Sequence, residues 1–186
     1  MEKVVPQVIE IDGGVDDAAL TGALRKASRD AVCLMIAGNL SANLGGPAGW
    51  VPLLADTPVL LSISVEGPVG TRGIALILLA DIVVMGANPT CDGTDIPALA
   101  ELAALRLGAL NARRVLLATD PLSELVAIGH ATRAEAPRDA ARSRAAAFAP
   151  VAHRLRQGWR AARDLPAGEA LAYAAWFNSI TNKEAS

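Results

Sequence analysis

The sequence predicts an α/β layered fold with buried strands, on three observations. Short strand-like runs at residues 4–11, 31–38, 59–67 and 81–86 alternate with stretches of helical periodicity. The run AVCLMIAG is apolar throughout and ends in glycine, which is how a strand covered on both faces reads. Hydrophobic residues make up 52% of the chain but aromatic residues only 3%, so the core must be built from Ala, Leu, Val and Ile. At 186 residues the chain suits one domain with a core of real size.

The elements follow in order. Residues 4–11, VVPQVIEI, alternate apolar and polar positions and read as a strand, with Pro6 near its start. Asp12-Gly13-Gly14 is a turn, and Asp16 is placed to cap a helix over about residues 17–29. Ala19, Leu20, Ala23, Leu24 and Ala27 share one face of that helix. The buried strand at 31–38 is followed by NLSANLGGPAG, a loop of turn formers, and by a short helix from Trp50 to Leu54. VLLSISVEG is the next strand, with Ser62 and Ser64 on one face and Ile63 and Val65 on the other. A glycine turn, a helix-length apolar stretch and the strand DIVVMG come next. Residues 96–118 read as one helix led by Pro97, and two or three Ala/Arg-rich helices fill the remainder. The expected division is a core over 1–135 and a C-terminal helical region over 136–186 of the same domain.

Bulk properties exclude several classes. A net charge of −2 gives no overall attraction to nucleic acid. Cys33 and Cys91 form no spaced framework and read as reduced thiols in a cytoplasm. Met1-Glu2-Lys3 leads directly into a strand-like run, so no signal peptide is expected. The apolar run at 74–85 contains Asp81 and falls short of the roughly 20 residues a membrane span takes. A soluble, cytoplasmic protein is expected.

The turn poses the chemical question. Gly67, Gly70 and Gly73 stand three apart between a buried strand and a helix, with Arg72 among them. The first amides of a helix lack intrahelical partners and sit at the positive end of its dipole. A strand, a glycine turn and a helix start can therefore hold an oxyanion; the same pattern also makes a tight turn packed on the sheet. The spacing is not the dinucleotide fingerprint, and no Gly-Lys-Ser/Thr follows to make a P-loop.

TPVLLSISVEGPVGTRGIALILLADIVVMG resembles the signature of the crotonase (enoyl-CoA hydratase/isomerase) superfamily. That signature has a Pro-apolar strand, then Asn-Gly-x-Ala-x-Gly-Gly-Gly-x-Glu-Leu-Ala, then a short run to Asp and an apolar strand. Pro58, Gly67, Gly73, Leu76 and Asp81 hold matching positions. Upstream, AVCLMIAGNLSANL is similar to the family strand and its Gly-Ala-Asp-Leu loop, with Ser41, Ala42, Asn43 and Leu44 at those four places. RLGALNARRVLLATDPL, GHATRAEAP and LAYAAWF are similar to later segments, the helical tail more weakly.

The resemblance implies a crotonase-like (ClpP/crotonase) layered fold of repeated ββα units with a C-terminal helical region. It also implies a trimer or hexamer of like chains and an acyl thioester substrate. Coenzyme A, or a carrier protein, enters as part of that substrate; neither a tightly bound cofactor nor a metal is implied. Two backbone N–H groups, matched here by Ala42 and Arg72, would stabilise an enolate oxygen. Ser41, Asn43, Leu44, Gly70 and Gly73 would line the substrate. The Arg72 guanidinium would meet a carboxylate or phosphate of the ligand, or point to solvent or to an acid of another subunit. The first family glutamate is replaced by Ala75, which cannot transfer a proton. Asp95 stands at the place of the second, either as acid/base or as the cap of the helix starting at Ile96. The family's Gly-x-x-Pro-Gly-x-Gly-Gly stretch is missing between Asp95 and Gly108, leaving a more open or partly collapsed pocket.

Other residues have plainer readings. Cys33 reads as an inert core thiol, and Cys91, beside Asp92, as a nucleophile or an inert core thiol. His130 and His153 make no metal spacing, and His130 sits at a helix end that favours a cation. Glu66 is a stand-in base at the mouth of the turn. The arginines between 138 and 163 are a solvated face paired with the chain's own acids, or a site for phosphates or an acidic carrier domain. Trp159 and Trp176 read as core or subunit contacts. Three functions follow. One is an isomerase, dehydratase or decarboxylase acting on a thioester, in a biosynthetic pathway. Another is a catalytically weak partner that assists another enzyme such as a polyketide-type synthase. The third is a purely structural oligomer subunit.

Overall fold

A computed structural model describes residues 8–30, 33–45, 48–57, 59–93, 96–152, 154–156, 158–159 and 169. Five parallel strands form one sheet in chain order: β1 Val8–Asp12, β2 Cys33–Ala37, β3 Leu60–Val65, β4 Ile82–Met85 and β5 Thr132–Arg133. Parallel neighbours require a crossover each time, and right-handed crossovers to the next strand always land on the same face. That face carries α1 Asp17–Asp30, α2 Trp50–Asp56, α3 Thr71–Leu79, α4 Ala100–Leu117 and α5 Pro121–Ala127. Asp16 caps α1 as expected, accepting from Ala19 N–H at 2.7 Å.

Strand alternation sorts the side chains. Leu34, Ile36, Leu61, Ile63, Val83 and Met85 enter the large core under α1–α5. Cys33, Met35, Leu60 and Val84 point to the opposite face, which α6 Pro137–Phe148 covers through Ala141 and Ala145. Those alanines let α6 approach closely enough for its carbonyls to accept from the strands. Ser62 Oγ donates to Ala141 O at 3.1 Å, and Cys33 Sγ to Ala145 O at 3.3 Å. Burial, with the Asp81 charge second, pushes the Cys33 thiol up to about 11, so it is not a nucleophile at neutral pH.

After β2, β3 and β4 the chain forms a second short ladder in which Leu40 pairs with Val69 and Val69 with Cys91. Strand, short strand and helix therefore repeat, which is the ββα unit. Asp81 anchors the far end of β3 and β4. It accepts from Leu61 N–H at 2.8 Å and from Arg156 Nε at 2.9 Å, with Arg106 at 3.6 Å. Burial pushes its carboxyl up, against the pull of Arg156.

The helix expected over 96–118 is two pieces. A 3₁₀ turn spans Ile96–Leu99, and α4 breaks at Gly108, whose φ of 76° lies in the left-handed region that glycine tolerates. His130 is not an exposed helix-end cation. Its Nε2 lies 3.0 Å from Ile77 O, and burial pushes its pKa down. Trp159 is 46% exposed, so it is no core residue, and Trp176 lies outside the described residues. Among the described residues no helix is long and apolar enough to cross a membrane.

Candidate functional site

The loops after β2, β3 and β4 leave the carboxyl ends of adjacent parallel strands, the usual place for a ligand on such a sheet. The short ladder ties them together. Val69 N–H donates to Thr90 O at 2.8 Å, Asp92 N–H to Val69 O at 2.9 Å and Gly70 N–H to Leu40 O at 2.9 Å. The loop holding Ser41–Leu44 therefore lies along the start of α3.

Two of the three glycines are explained by that approach. A Cβ on Gly70 would sit 2.3 Å from Ser41 O and 2.4 Å from Ala42 O, and one on Gly73 2.4 Å from Leu40 O. Only a residue without a side chain fits at either place. A Cβ on Gly67 would meet nothing within 4 Å.

The structure thus brings together Ser41, Ala42, Asn43, Leu44, Gly70, Arg72 and Gly73. It also shows where the first amides of α3 are directed. Thr71 N–H donates to Asn43 Oδ1 at 2.9 Å, and Thr71 Oγ1 reaches the same oxygen at 3.0 Å. Leu44 N–H donates to Thr71 Oγ1 at 3.1 Å. Arg72 N–H donates to Ala42 O at 3.1 Å. Among the described residues the Ala42 N–H has no hydrogen-bond partner. Of the two amides matched to oxyanion donors, then, one has no partner among the described residues and the other is held by the Ala42 carbonyl. Gly70, Thr71 and Arg72 are buried beneath the exposed Ala42 and Asn43.

The Arg72 side chain goes neither to a ligand nor to solvent. It is 5% exposed and turns inward to the segment between β1 and α1. Nε donates to Asp17 Oδ1 at 2.8 Å, and the two terminal nitrogens donate to Gly13 O at 2.6 Å and Val15 O at 2.9 Å. The guanidinium lies over Trp50, 5.7 Å from the ring centroid, and Trp50 Nε1 donates to Asp17 as well. Where the family has glycine, this chain has an arginine that fastens the first turn of α3 to the first crossover.

Ala75 is 1% exposed within the apolar core, so its place presents no group to a ligand. Asp95 lies outside the described residues. Gly93 packs on the start of α3, where a Cβ would be 3.2 Å from Thr71 N. Cys91 is half-buried against the core and Glu66 is exposed. Arg138 and Arg142 both pair with Glu10, whereas Arg156 is buried on Asp81 rather than solvated. His153, Arg160 and Arg163 lie outside the described residues. A cleft of about 360 Å³ opens elsewhere, between Glu10–Asp12, Ala37–Gly38 and Arg138. None of the residues matched to the substrate site lines it. Among the described residues no three His, Cys, Asp or Glu side chains gather as for a metal ion.

Thr71 and Asp17 were not singled out by sequence. Thr71 had a readable signal, a hydroxyl where the family has glycine. Asp17 offered only an acid in a first helical turn.

No family model and no curated protein matches the sequence itself. Solved structures match the fold. A protein from Mycobacterium abscessus named for an enoyl-CoA hydratase/isomerase superposes with a TM-score of 0.73 at 18% identity, covering 94% of this chain and 86% of its own. One from Streptomyces coelicolor A3(2), named for an enoyl-CoA hydratase, gives 0.72 at 18% identity, covering 96% and 84%. ThnE from S. clavuligerus gives 0.62 at 14% identity, covering 98% of each chain. The chain has the crotonase fold.

Proposed function

We propose that this chain is a crotonase-fold partner in acyl-thioester chemistry. It assists another enzyme, such as a polyketide-type synthase, and does not carry out two-glutamate hydration itself. One observation carries the reading: the Arg72 N–H, which would be the second oxyanion donor, is taken by the chain's own Ala42 carbonyl. The core position of Ala75 points the same way.

Lifting the whole loop to open the site is unfavourable. An oxyanion-hole donor is worth about 3 kcal/mol. Moving the whole Ala42–Leu44 loop off α3 would break the four bonds made by Leu44 N–H, Thr71 N–H, Thr71 Oγ1 and Arg72 N–H. At about 1 kcal/mol each, that cost exceeds the gain from one donor.

The second reading is an isomerase, dehydratase or decarboxylase with Asp95 as acid/base. It is favoured by the Ala42 N–H, which has no partner among the described residues and belongs to the residue whose carbonyl holds the Arg72 N–H. Rotating the single peptide after Ala42 would free the Arg72 N–H at the cost of one hydrogen bond.

Adding malonyl-CoA, a 3-hydroxyacyl-CoA or an enoyl-CoA to the purified chain while its melting temperature and thioester turnover are followed separates the two. The partner reading expects no shift, no turnover, co-purification with a synthase and a faster synthase in its presence. A saturable shift with turnover that Asp95→Asn removes supports the enzyme and overturns the partner.

A further inference from the structure

We infer that Asn43 is a latch that keeps a dormant carbonyl-binding site closed. The inference rests on the reading of Ala42 and Arg72 as an oxyanion pair, and it concerns how that pair is controlled.

The Asn43 carboxamide oxygen accepts from both the N–H and the hydroxyl of Thr71, and that hydroxyl accepts from Leu44 N–H. These three bonds close a ring between the loop and the first turn of α3. The ring is separate from the bond it maintains, Arg72 N–H to Ala42 O. A carbonyl oxygen facing the first amides of a nine-residue helix occupies the place an anionic ligand oxygen would take. Asn43 is exposed while Thr71 is buried at 3% exposure, so the half of the ring that can leave is Asn43. Releasing it frees Thr71 N–H and leaves the Ala42 carbonyl held over Arg72 by one bond alone.

The test compares wild type, Asn43→Ala and Asn43→Asp. The aspartate keeps the acceptor oxygen, and its charge suits a helix N-terminus. Hydrogen exchange at the Arg72 amide is expected to be about thirtyfold faster in Asn43→Ala than in the other two, the effect of losing the two bonds that Asn43 accepts. Calorimetry with acetyl-CoA is expected to detect binding in Asn43→Ala at least tenfold tighter than in wild type, with Asn43→Asp matching wild type. Unchanged exchange in Asn43→Ala overturns the latch. So does faster exchange without tighter binding, a result that leaves the partner reading standing. Turnover by wild type overturns the partner reading, and the ratio of Asn43→Ala to wild-type affinity still decides the latch. Thr71→Val removes the two hydroxyl bonds but keeps Thr71 N–H on Asn43 Oδ1, so it is expected to speed exchange at Arg72 less than Asn43→Ala does.

Discussion

Replacing Arg72 by Met separates an anchoring arginine from a ligand-binding one. The methionine keeps an apolar stem beside Trp50 and removes every donor. Two buried or half-buried carbonyls, Gly13 O and Val15 O, lose their charged partner. Hydrogen bonds to a charged group contribute about 1.5–3 kcal/mol each. The ion pair with Asp17 adds under about 1 kcal/mol, because the Asp17 side chain is 51% exposed and screened. Contact with the Trp50 face adds about 0.5–1 kcal/mol. A net loss of about 4 kcal/mol is therefore expected, since water reaches part of the opened site. For a domain of this size that lowers Tm by about 8–16 °C. Arg72→Lys is expected to recover little, because a point charge cannot reach three acceptors set around a planar fork. The assay is thermal unfolding followed by far-ultraviolet circular dichroism. A fall of less than about 2 °C would show that the guanidinium is not an anchor and is available to a ligand.

Three further outcomes are expected. Gly70→Ala drives a Cβ into two backbone carbonyls and is expected to destabilise by about 1–3 kcal/mol in urea unfolding, with faster exchange at the Thr71 and Arg72 amides; an unchanged midpoint would mean the loop does not lie on α3. Asp81→Asn leaves Arg156 and Arg106 without their carboxylate and is expected to cost about 3–5 kcal/mol, read by the same method. His130 is held below its ordinary value of 6.5 by burial, so below pH 6.5 the unfolded chain takes up its proton first and stability falls as the pH drops toward the folded value. His130→Gln is expected to flatten that part of the stability curve between pH 7.5 and 5.5, and a curve that keeps its slope refutes the assignment.

Much of the fold was legible because its strands obey simple periodicity. The apolar runs at β2 and β3 are covered on both sides, and Ser62 and Ser64 share the face under α6. The glycine pattern at 70 and 73 correctly marked a close backbone approach. What sequence could not supply was direction. Whether the Arg72 amide faces a ligand or a neighbouring carbonyl depends on the path of a loop nearly thirty residues earlier, which no local pattern encodes. The guanidinium posed the same problem, since its partners come from the turn before α1. β5 is too short to carry an alternation, and it forms because β4 offers an open edge at Val84 and Met85. Gly108 read as part of a continuous helix because the leucines around it keep helical spacing, while its positive φ breaks the helix.

The most direct test is to follow the ¹⁵N–¹H signals of Ala42 and Arg72 in the wild-type chain while acetyl-CoA is titrated in. With the Arg72 N–H held by Ala42 O, neither signal is expected to move as the thioester reaches millimolar concentration. Saturable movement of both signals together, with one common midpoint, would show two amides converging on a bound carbonyl and contradict the closed seam.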